Sequence, residues 1–110
     1  MKVISTCVWH GYSERAYEYQ ILPLEAEFQR MGGNFILCDR DVLGDWSPLY
    51  IGQTDDLCEC LGALELKRWI REQGATYIHV HLVRHDIDRE SEKADLISRF
   101  RPQLNRFMLN

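Results

Sequence analysis

Two segments of this chain alternate apolar and polar side chains with a period of two. That period fits an extended strand with one buried face. In residues 16–22, Tyr17, Tyr19 and Ile21 fall on one side, and Glu18 and Gln20 on the other. Residues 76–83 repeat the pattern: Ile78, Val80 and Leu82 face one way, and Tyr77, His79, His81 and Val83 the other. Pro23 closes the first strand, since it has no N–H to give a ladder. Residues 24–31 are expected to make a short helical turn, stopped by Gly32-Gly33.

Residues 34–38 and 49–51 are short apolar runs of strand type. The mostly polar stretch 39–48 between them, with Gly44-Asp45 and then Trp46, predicts a β-hairpin with a long tip. A helix follows, capped by Thr54 or Asp55. Leu57, Leu61 and Leu64 form one apolar stripe, and Leu66, Trp69 and Ile70 a second, out of phase with the first. With Gly62 among them, the spacing predicts a break and a second helix ending before Gly74. Asp88 is expected to cap a last helix whose apolar face carries Ile97, Phe100 and Leu104, with Pro102 at its end. The order predicts an α+β domain: a small, mainly antiparallel sheet of three or four strands, flanked by helices.

The 110 residues suit one domain. No apolar run approaches the ~20 residues that span a bilayer. The start of the chain lacks an h-region and a small-residue cleavage site, so a cytoplasmic protein without membrane contact is expected. Cys7, Cys38, Cys58 and Cys60 are then reduced thiols. Cys58 and Cys60 are too closely spaced for a Cys-x-x-Cys site, and on a helix they stand roughly 200° apart. The net charge of −4 counts against a strong nucleic-acid binder. Acids crowd residues 39–59, whereas Lys67, Arg68, Arg71, Arg84, Arg99, Arg101 and Arg106 come later. Arg68, Arg71, Arg99 and Arg101 are the candidates for a basic binding face.

The hairpin reads Gly33-Asn34-Phe35-Ile36-Leu37, then Leu49-Tyr50-Ile51-Gly52-Gln53-Thr54-Asp55-Asp56-Leu57. Gly74-Ala75-Thr76 opens the next strand, and Leu96-Ile97 and Arg101-Pro102-Gln103-Leu104-Asn105 follow. This order resembles the GIY-YIG nuclease superfamily over residues 33–105, with residues 1–32 as a strand-bearing extension. The resemblance implies a phosphodiester hydrolase using a divalent metal, Mg or Mn. Such chemistry needs a base, a cation to steady phosphate charge, and a carboxylate for the metal.

Three positions keep the residue that the resemblance calls for: Tyr50, Gly52 and Asn105. Four do not. Phe35 stands for the first tyrosine and has no hydroxyl. Cys60 stands for the arginine, whose fixed positive fork a thiol cannot supply. Leu64 stands for a helix histidine. Lys93 stands for the metal-binding glutamate and has the wrong charge to hold a hard cation. The resemblance therefore implies a degenerate site with no metal cofactor, serving as a binding module. A protein partner or a second copy is favoured over DNA.

The alternative is a divergent metal-dependent endonuclease acting on DNA. It would use Tyr50 with Glu90 or Glu92, or a metal on His79 and His81, with His85 nearby. Each residue also has a plainer role. Glu90 and Glu92 suit the positive end of a helix dipole. The histidines suit hydrogen-bonded strand positions, Tyr50 a packed strand position, and Asn105 a tie for the final turn.

Overall fold

The computed structural model describes residues 5–107; the first four residues of the N-terminal extension lie outside them. Five strands form one sheet: β1 Ser5–His10, β2 Ala16–Pro23, β3 Gly33–Arg40, β4 Trp46–Thr54 and β5 Tyr77–Leu82. Their order is β1-β2-β5-β3-β4, and every neighbouring pair is antiparallel. The α+β class and the antiparallel sheet agree with the sequence. The sheet has one strand more than the three or four expected, because β1 in the N-terminal extension pairs with β2 on the side away from β5.

The four helices are α1 Leu57–Leu61, α2 Leu64–Glu72, α3 Asp86–Phe100 and α4 Gln103–Phe107. Directly opposed residues of antiparallel strands share a face, and this sorts the core into two layers. On one face Leu22, Phe35, Leu37, Ile78 and Val80 pack with Leu57 and Leu61 of α1 and Ile70 of α2. On the other, Trp9, Tyr17, Tyr19, Ile36, Cys38 and Ile51 pack with Leu96 of α3. The β5 alternation divides as its sequence predicts, with Ile78 and Val80 in the first layer and His79 in contact with Trp9 of the second.

Several local expectations are corrected. Residues 24–31 make no helical turn. Ala26 N–H bonds Pro23 C=O in a tight turn, and Leu24, Ala26 and Phe28 are buried in the cluster formed with α1 and α2. The hairpin tip is short, because β3 continues to Arg40 and β4 starts at Trp46. A register shift at Leu37/Cys38 accommodates this, and Asp41 accepts bonds from the N–H groups of Leu43 and Asp45. The cap of α1 is Asp56, whose carboxylate accepts from Glu59 N–H, while Thr54 Oγ1 accepts from Asp56 N–H. Asp88 lies inside α3, which begins after His85. The break at Gly62 and the end of α2 before Gly74 stand as expected.

Candidate functional site

The positions singled out by the sequence resemblance fall into two groups separated by the sheet. Phe35 and Tyr50 lie on the α1/α2 face, since Leu37 pairs with Tyr50 and Phe35 with Gly52. Their rings are 6.1 Å apart between centroids. Phe35 is buried, and Tyr50 and Cys60 pack half-buried against the same apolar cluster. Burial, and then the neighbouring Cys60, push the Tyr50 phenol above its usual range. Burial likewise raises the Cys60 thiol, against a hydrogen bond from Thr54 that lowers it.

Gly52 is explained by packing: a Cβ there would meet the Phe35 ring at 2.5 Å and the Tyr50 ring at 2.8 Å. The cleft beside Cys60, about 330 Å³, is lined by Asp55, Asp56 and Glu59 as well as Thr54. Leu64, in place of the helix histidine, begins α2 and is exposed. Asn105, on α4, donates to Ile51 C=O and accepts from Ile51 N–H, both at 2.8 Å. It ties the final turn to β4.

Lys93 is on α3, which packs over the opposite face. The two nearby acids are engaged there. Glu90 accepts from the Gln53 amide at 2.8 Å. Glu92 is 5% exposed, accepts from the Tyr19 hydroxyl at 2.6 Å, and lies 2.9 and 3.0 Å from His81 Nδ1. The dipole role expected for Glu90 and Glu92 is therefore corrected. The acids of the first turn are Asp86 and Asp88, and Glu92 is a buried carboxylate one turn further on. A carboxylate accepts only, so Nδ1 of His81 donates to it.

His79 and His81 share a strand face but not an environment. His79 is fully buried, and its Nδ1 accepts from Trp9 Nε1 at 3.0 Å with Cys7 Sγ at 3.3 Å. Burial, helped by the Arg40 charge, lowers its pKa to about 4. Among the described residues no three His, Cys, Asp or Glu side chains are grouped to hold a metal.

The four arginines do not form one basic face. Arg68 and Arg71 are on α2, where Arg71 pairs with Glu25. Arg99, which donates to His10 C=O, and Arg101, the cap of α3, are across the sheet.

Sequence reasoning missed the polar stripe by which α3 meets the sheet. Arg89 donates to the C=O groups of Val83 and Arg84 and to Gln53, and Asn34 donates to Arg89 C=O. Asp95 accepts from Ser13 and from Tyr17. Burial works against the charge of Asp95, and these bonds outweigh it, holding the carboxyl below its usual range. The signal was the spacing of Arg89, Glu92 and Asp95, three residues apart and so on one helical side.

No protein family, no curated protein and no solved structure matches this chain.

Proposed function

We propose that this protein is a GIY-YIG-like nuclease scaffold that binds a partner and does not cut nucleic acid. The observation that carries the reading is the packing around Tyr50. Where phosphodiester hydrolysis needs a hydroxyl and a cation, Phe35 and Cys60 close an apolar patch. Tyr50 is pushed away from the ionised form that a base would use. Asp55, Asp56 and Glu59 beside Cys60 repel a phosphate backbone.

The residues do not fit a catalytic magnesium or manganese ion. Lys93 brings a positive charge. Glu92 is already bonded by Tyr19 and His81 on the far side of the sheet, and Glu90 by Gln53. An acidic chain in a cytoplasmic setting, with its thiols reduced, favours a protein partner over nucleic acid.

The test is incubation of the purified protein with single- and double-stranded DNA and RNA in magnesium or manganese. No cutting above background is expected. Losing one electrostatic stabiliser typically costs ~3 kcal/mol of barrier, and a lost metal costs several more. Metal-dependent cutting by the wild type, abolished both in Tyr50→Phe and in a Glu90→Gln, Glu92→Gln double variant, would sink the reading.

A further inference from the structure

The ladder between β2 and β5 stops before either strand does. Its last pair is Gln20 with Val80, yet β2 extends back to Ala16 and β5 on to Leu82. Beyond that pair, β2 continues against β1 alone and β5 against β3 alone. The sheet forks there, and strand backbone on both inner sides of the fork has no ladder partner.

The first two turns of α3 lie over the fork and complete a cleft of about 370 Å³. Its polar lining is Arg15, Tyr17, His81, Asp88, Ser91 and Glu92. His81 stands where the strands part, its ring 5.4 Å from that of Tyr19. The side chain is 33% exposed. Its Nδ1 is committed to Glu92, and the ring lines the cleft.

We propose that this cleft receives a lysine or arginine side chain of a partner protein, held in an extended peptide. The inference rests on the binding-module reading and names the chemistry of the partner. Three observations carry it.

Two carboxylates, Asp88 and Glu92, face one guanidinium, Arg15. The Glu92 oxygens are used by Tyr19 and His81, whereas Asp88 is exposed and, among the described residues, has no cation within 4.0 Å. The free Asp88 carboxylate suits a donor-rich cation, because ammonium and guanidinium groups donate hydrogen bonds and accept none. The positive end of α3, which would draw an anion, is already met by Asp86 and Asp88 in its first turn. The unpaired strand backbone at the fork gives a peptide main chain something to bond that a free amine could not use.

Arg15 opposes the cation. It is exposed at the mouth, 5.7 Å above the Tyr17 ring, and among the described residues has no carboxylate within 4.0 Å. It therefore supplies a sign test.

The experiment is an NMR titration of the full ¹⁵N-labelled chain with the peptide Gly-Gly-Arg-Gly-Gly, with butylguanidinium and with inorganic phosphate. Saturable shifts of the His81 ring and the Ser91 amide are expected with the peptide. Asp88→Asn should weaken binding about fivefold and Arg15→Gln should strengthen it, in line with the worth of single exposed charge pairs. Both are surface changes that leave the Glu92–His81 pair intact. The proposal is overturned if the peptide gives no saturable shift, or if phosphate binds and Arg15→Gln abolishes it. Butylguanidinium binding as tightly as the peptide would also overturn it, by assigning the cleft to a free amine. Cleavage assays decide the broader reading and do not enter this one.

Discussion

His79 shows how far one residue type can be carried in opposite directions along a single strand. It shares a β5 face with His81, and a sequence cannot tell the two apart. The structure does, through what lies above each: Trp9, Cys7 and Trp46 over His79, and a carboxylate over His81. His79 should therefore be neutral when folded and prefer its proton when unfolded. The folded pKa of about 4 lies below the unfolded value near 6.5. The unfolded state then binds more protons between those two values, and stability falls as pH drops from about 6.5 to about 4. Two and a half units at ~1.36 kcal/mol each give a loss on the order of 3 kcal/mol. Urea unfolding across that range, with the His79 ring resonance followed by NMR, is the check. A ring already protonated at pH 5.5, or a flat stability profile, would contradict it.

At the scale of elements, the sequence was most legible where a strand has one buried face. Tyr17, Tyr19 and Ile21 in β2 and Ile78 and Val80 in β5 are buried as their alternation requires. It was least legible where a helix meets the sheet through polar groups. Arg89 and Asp95 drew no reading and Glu92 only a helix-dipole or metal role, because nothing local reveals that Asn34, Tyr19 and Tyr17 wait opposite. Helix ends were placed within a few residues, but the caps differed: Thr54, Asp55 and Asp56 compete at the start of α1, and α3 begins after His85 with no side-chain cap bond.

The end of α3 carries a further expectation. Its cap, Arg101, has φ of +44°, in the left-handed region where a Cβ is strained. Its side chain is exposed. Arg101→Gly should raise stability by up to ~1 kcal/mol, the Cβ strain outweighing the entropy lost by a freer residue. Thermal unfolding of the pair of proteins measures this, and a less stable glycine variant would show that the arginine side chain is needed there.

For the molecule as a whole, the sheet is a partition. One face is an apolar layer under α1 and α2, and the other an apolar cluster around Leu96 joined to α3 by a stripe of bonded polar groups. The residues in line with a nuclease motif are split between the two, which no linear spacing could reveal. The same sheet has two outer strands, and they differ in what occupies their open sides. On β4 the Asn105 amide gives and takes the two hydrogen bonds that a neighbouring peptide unit would make with Ile51. A side chain thus imitates a sixth strand for the length of one residue. Exposed strand edges are where chains add to one another, so this amide acts as a stopper against templated growth along β4. Asn105→Ala should cost ~2 kcal/mol through two unmet backbone groups. It should also turn slow, concentration-dependent aggregation on, visible by light scattering under conditions where the wild type stays monodisperse. Equal scattering from the two proteins at matched folded fraction would mean that β4 is guarded by something other than that one amide.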